Sequence, residues 1–173
     1  MEVRPEVLIL SSRNDFSCDY VVSRLISRGV TYLRLNTEDL SGYSLCLDPA
    51  RRKFTCTIDG TAFLIADESL RSVWFRRAVY LRDHTSPEAS AWQQITRMQW
   101  AAFIRGLVVF QEAKWVNHPG ATYLAEQKPL QLSVAASLGL QIPETLVSND
   151  GQKITAIGTH ARGGTGRIIS KTG

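Results

Sequence analysis

Val7-Leu8-Ile9-Leu10-Ser11-Ser12-Arg13-Asn14-Asp15-Phe16 is the stretch that decides the fold. Its first four residues are apolar and its next two small and polar, as in a buried strand meeting a loop. Asp15 to Ser17 can cap a helix in which Val21, Val22, Leu25 and Ile26 recur at helical spacing and Gly29 stands at the C-cap position. Thr31 to Asn36 reads as a second strand. A strand, an amphipathic helix and another strand in quick succession predict a right-handed βαβ unit.

Outward from this unit the pattern changes. Residues 43–48, 53–58 and 61–66 are three strand-like runs, and Asp59-Gly60 between the last two is a hairpin signal, because both turn positions tolerate positive φ. Residues 72–77 form another strand-like run ending in charge. Pro87 opens a long helical stretch to about Ala113, in which Trp92, Ile95, Gln99, Ala102, Phe103, Gly106, Leu107 and Phe110 trace one face. Trp115-Val116-Asn117 gives a short strand, broken by His118-Pro119-Gly120. A second helix starts at Lys128, with Pro129 at its first position and Leu130, Val134 and Leu138 as its apolar stripe. Thr145 to Ser148 extends again and could pair with residues 153–157 through Asp150-Gly151. The class predicted is α/β: an open, mostly parallel sheet with an antiparallel hairpin insert and a long helix.

Composition narrows the function. With 44% hydrophobic residues in 173, the chain can bury a core without a disulfide or metal staple. The apolar run at residues 7–10 is too short for a signal peptide, and no apolar run reaches the ~20 residues of a membrane span. A cytoplasmic protein is expected. Cys18, Cys46 and Cys56 have no C-x-x-C spacing, so no disulfide framework or zinc site is expected, and Cys46 and Cys56 read as buried small hydrophobes. The net charge of +4 lies in residues 151–173, which hold Lys153, Arg162, Arg167 and Lys171 and no acid. The first 150 residues are neutral overall, unlike the basic body of a nucleic-acid binder. Trp74, Trp92, Trp100 and Trp115 therefore read as packing residues rather than a base-stacking platform. His84, His118 and His160 stand apart and read as surface or loop residues.

No G-x-G-x-x-G, P-loop, H-E-x-x-H or G-x-S-x-G is present. Arg76 and Arg77 follow an aromatic strand, at what would be the carboxyl end of a parallel strand, where ligands of open α/β sheets gather. They are candidates to fork onto a carboxylate or phosphate, with structurally paired charges as the alternative. Ala161 to Arg167 is rich in glycine and could wrap phosphate oxygens, but no helix follows it, so a disordered basic tail is expected.

The block from Trp115 to Asp150 resembles the entry to an ATP-grasp module: Asn117 and Pro119 at a break, Lys128 opening a helix, then Gly139 and Ile142-Pro143-Glu144-Thr145 at its exit. Upstream, Val73-Trp74-Phe75-Arg76-Arg77 and the long helix are similar to the domain preceding ATP-grasp in graspetide synthetases, the microviridin-type maturases of ribosomal peptides. The resemblance spans about residues 5–150. It implies a Rossmann-like pre-ATP-grasp domain over 1–114, the start of the ATP-grasp module over 115–150 and a basic tail over 151–173. It further implies ATP-dependent ligation. ATP phosphorylates a side-chain carboxylate of a precursor peptide, and an amine or hydroxyl then attacks the acyl phosphate; magnesium neutralises phosphate charge.

Lys128 is the nucleotide-binding residue carried over; no catalytic or metal residue is. Residues 151–173 do not continue the pattern of the family, which would bring a second nucleotide-binding Lys and metal-binding carboxylates. A truncated gene, a frameshifted end or a split subunit would each give this. The chain is thus expected to be inactive alone. Its expected partners are a precursor peptide, a complementary ligase subunit or a second copy, with no nucleic acid and no membrane. The rival readings are a peptide-binding adaptor without catalysis and a small flavodoxin-like binder of a nucleotide or anion.

Overall fold

The computed structural model describes residues 2–76 and 90–150. Arg77, His84, Pro87, His160, residues 153–157 and the Gly-rich stretch lie outside them. The chain divides into two compact units, Met1–Thr122 and Tyr123–Gly173.

The first unit is built on two four-stranded sheets. One is wholly parallel and combines β2 (Val7–Ser11), β3 (Tyr32–Asn36), β7 (Ser72–Phe75) and β8 (Lys114–Val116) in the order β3-β2-β7-β8. Central β2 is flanked on both sides, and its Leu8, Ile9 and Leu10 are fully buried, which explains its unbroken apolar run. Between β2 and β3 runs helix α1 (Phe16–Ser27), capped by Asp15, whose carboxylate accepts from the Ser17 amide. Gly29 comes after it at φ +66°, a conformation that glycine adopts without a steric penalty.

The other sheet, ordered β1-β6-β5-β4, joins β1 (Glu2–Val3) to the predicted insert: β4 (Ser44–Asp48), β5 (Lys53–Ile58) and β6 (Thr61–Ala66). The insert strands are antiparallel, whereas β1 lies parallel to β6. Asp59 and Gly60 turn the β5–β6 hairpin at φ +48° and +77°, the mirror-image turn that suits the twist of paired strands. The core joins both sheets: Leu8, Leu10, Leu33, Leu35, Val73 and Phe75 meet Phe54, Cys56 and Ile65.

Helix α2 (Ala91–Gly106) closes this core with only part of the predicted face, Phe103 together with Leu107 and Phe110 beyond it, and with two residues outside that face, Ala101 and Ile104. Ala101 and Ile104 are buried, followed by Leu107 and Phe110 beyond the helix end. Trp92, Ile95, Gln99, Ala102 and Gly106 are exposed. The sequence is apolar on two sides, and spacing alone did not show which side meets the sheets. The helix starts at a Ser90–Gln93 capping box and gives way to a 3-10 turn at Leu107–Val109, so the regular helix is shorter than expected. Cys46 is another correction. It is exposed, because on β4 it points away from the side that half-buries Leu45 and Leu47.

A short helix, α3 (Pro119–Ala125), comes after β8 where only a break was expected; proline at a first helical position starts a helix as readily as it stops a strand. In the second unit, α4 (Lys128–Ser137) begins at Lys128 with proline in its first turn, as predicted. Leu130, Val134 and Leu138 are all exposed, and no residue from 123 to 150 is buried. Among the described residues no helix is long and apolar enough to cross a membrane.

Candidate functional site

The carboxyl ends of β2, β3 and β7 gather the polar residues of the first unit. Arg76 comes directly after β7; its amide donates to the Leu10 carbonyl at 2.8 Å, and its Nε donates to Asp15 Oδ2 at 3.0 Å. Asp15 is buried and at the same time caps α1. The Arg76 side chain is 39% exposed while its Nε holds the loop. Beneath the loop, the buried Cys18 thiol donates to Ser11 Oγ at 3.0 Å, and burial pushes that thiol's pKa up.

The next turn of the edge comes from Asn36 and the 3-10 segment Thr37–Gly42. Ser12 Oγ donates to Glu38 Oε1 at 2.5 Å and the Arg13 amide to Glu38 Oε2 at 3.2 Å. Burial tends to raise the Glu38 pKa, but these donors outweigh it and hold it below the usual value. Asp39 pairs with the Arg13 guanidinium and accepts from Asn36 Nδ2 at 3.0 Å. Its pKa, too, is lowered against the effect of burial. Arg34 spans β3 to α1, donating to Asn36 Oδ1, the Ser12 carbonyl and Asp19 Oδ1 at 2.8, 2.9 and 2.5 Å. Arg13, Arg34 and Arg76 thus each meet a carboxylate on one sheet edge.

Lys128 stands in the second unit at the start of α4, exposed, its Nζ donating to Gln131 Oε1 at 2.9 Å. The N-cap residue Gln127 makes no side-chain cap. An amine beside uncapped helix amides suits a phosphate group. His118 accepts from the Gly120 amide through Nδ1 at 3.2 Å at the head of α3, a local capping contact. Among the described residues no group of three His, Cys, Asp or Glu side chains could hold a metal ion.

This architecture recurs in solved structures. Macrocyclase MdnC from Microcystis aeruginosa MRC, bound with precursor peptide MdnA, matches 94% of this chain at a TM-score of 0.72 and 22% identity. The chain has the fold of part of a RiPP-associated ATP-grasp ligase. Macrocyclase MdnB from the same organism matches 94% of the chain at a TM-score of 0.67 and 22% identity. The RiPP-associated ATP-grasp ligase of Chryseobacterium gregarium, in complex with ADP and a leader and core peptide, matches 92% at 0.64 and 21%. This chain covers 52%, 53% and 48% of these three, about half of each, which is consistent with an N-terminal domain. No protein-family model matches the chain, and no curated protein does.

Within this ATP-grasp ligase fold, Arg76 lies at the sheet edge where the sequence put it. Its tie to Asp15, sixty-one residues away, was not foreseen. Asp15 was recognised as a helix cap only. Glu38 and Asp39 were missed entirely; the acid pair just after a parallel strand was the available signal.

Proposed function

We propose that this chain is the front part of an ATP-dependent ligase that matures a ribosomal peptide, and that it ligates only together with the remaining half of such an enzyme. The observation that carries this reading is the match of 94% of the chain to a peptide-bound macrocyclase at a TM-score of 0.72. In this reading Lys128 binds the phosphates of ATP, aided by the uncapped amides of α4. Mg-ATP, when bound, supplies the phosphoryl group that activates a carboxylate of the peptide. Arg76 contributes by fixing the β2–α1 loop. The residue groups supporting magnesium belong to the other half of the enzyme.

Calorimetric titration of the purified chain with Mg-ATP, with Lys128→Ala as control, tests this. Binding abolished by the substitution supports a nucleotide half-site at α4. A folded chain that binds no ATP but does bind a precursor peptide moves the assignment to a peptide-holding adaptor. That second reading is favoured by the neighbours crystallised with their precursor peptides.

A further inference from the structure

Strands β2 and β7 lie side by side, but the chain leaves β2 for β3 on one side and returns to β7 on the other. Such a reversal opens a crevice at the carboxyl ends of the strands, where open α/β sheets take their ligands. Arg76 and His118 stand at this edge, each two residues past the last pair of the β7–β8 ladder, Trp74 opposite Val116. The Trp115 ring links their surroundings: it lies 6.4 Å from the ring of Phe75, the neighbour of Arg76, and 5.9 Å from that of His118. Arg76 gives only Nε to Asp15, so its two Nη groups have no partner among the described residues.

His118 is exposed and yet held. Its Nδ1 accepts from the Gly120 amide at 3.2 Å, and its carbonyl from the Thr122 amide and hydroxyl at 2.9 and 3.1 Å. A Cβ at position 120 would come within 3.3 Å of Nδ1, so glycine there lets the ring sit where it does. With Nδ1 accepting, the neutral imidazole carries its proton on Nε2, which has no partner among the described residues. Capping accounts for Nδ1 and leaves the Nε2 donor unused.

We propose that Arg76 and His118 form a subsite for a single carboxylate, which the Nη groups of Arg76 fork onto and the Nε2–H of His118 holds from the side. Charge selects this ligand over a phosphate. Asp15 already balances Arg76, and the His118 ring that accepts at Nδ1 is the neutral form. The subsite therefore has no surplus positive charge for a doubly charged group beside the buried Asp15 carboxylate. The ligase reading enters only as the source of the ligand, a side-chain carboxylate of the precursor peptide.

Nitrogen-15 spectra of the imidazole and guanidinium groups test this in the full chain. The probe is N-acetylglutamic acid α-methylamide, which carries one carboxylate, added at constant ionic strength, with inorganic phosphate as the second arm. The expected result is a saturable shift of the His118 Nε2 and Arg76 Nη signals at millimolar concentration, with weaker binding of phosphate. His118→Asn should weaken carboxylate binding about fivefold and leave the urea midpoint unchanged, because an asparagine carbonyl still accepts from Gly120 while the Nε2 donor is gone. Arg76→Lys should weaken it further, since an ammonium cannot fork onto both oxygens. No saturable shift up to about 100 mM overturns the proposal. So does undiminished binding by His118→Asn, or phosphate that binds more tightly than the carboxylate. The Mg-ATP titration is a separate test: a chain that binds ATP through Lys128 but no carboxylate keeps the ligase reading and loses the subsite, and the reverse result keeps the subsite and loses the nucleotide half-site.

Discussion

Arg76 Nε lies 3.0 Å from Asp15 Oδ2, joining the end of β7 to the cap of α1 across sixty-one residues. Asp15 is buried and Arg76 partly so, which makes the pair worth more than a surface ion pair. Removing the guanidinium leaves a buried carboxylate short of one donor. Arg76→Ala should therefore cost about 2 kcal/mol in urea unfolding. Arg76→Lys should recover part of that, since a lysine can reach with one donor but not with the guanidinium's geometry. If Arg76 instead serves mainly as an anion site, the alanine variant will keep its stability and lose only the protection that added phosphate gives the wild type.

Acid should find the same edge. Glu38 and Asp39 both have lowered pKa values, with donors from Ser12, Arg13 and Asn36 outweighing burial. A carboxylate whose pKa is lower folded than unfolded stabilises the fold above its unfolded value and loses that contribution as pH falls through the folded one. The ordinary values are 4.5 for glutamate and 3.8 for aspartate. Stability should thus be flat above these and decline as pH falls below them. Ser12→Ala should flatten part of that decline, and a midpoint in urea followed against pH is the measurement. An unchanged acid limb in Ser12→Ala would assign the limb to other carboxylates.

The sequence made these elements legible because their signals were local: an apolar run for β2, a turn pair at Asp59-Gly60 for the β5–β6 hairpin, a proline beside Lys128 for the start of α4. What it concealed was orientation. Helix α2 carries apolar residues on opposite sides, so period alone did not separate the side on Ile104 from the side on Ile95. Cys46 was misplaced because edge strand β4 buries one side only. At the candidate site, Arg76 was legible from its place after a strand, but its partner depended on a contact sixty-one residues back. Lys128 entered by resemblance, and what the structure bears out is the helix start at that residue, at the head of α4.

Alkali should act at Tyr43. Burial, then the nearby charge of Asp39, raises its pKa to about 12 from an ordinary value of 10.0. The fold favours the neutral phenol, so the stability it contributes is full below pH 10 and is lost as pH rises toward 12. A late-ionising tyrosine step should therefore appear in a spectrophotometric titration. Tyr43→Phe should remove that late step, and Asp39→Asn should bring it to lower pH. A late step that persists in Tyr43→Phe would assign it to another tyrosine.

Phe54 and Trp92 separate the two sides of α2. Phe54 is fully buried, its ring 5.8 Å from that of Phe103, which meets Trp100 edge-on at 6.0 Å. The cluster links β5 to the helix, and Phe54→Ala empties a volume that close-packed neighbours cannot fill. It should cost about 3–5 kcal/mol, a large share of a domain's stability. Trp92 is the larger residue but 78% exposed. Trp92→Ala should change stability by no more than ~0.5 kcal/mol. Urea unfolding of both variants decides the orientation of the helix. Equal, large losses would mean that the side carrying Trp92 faces the core after all.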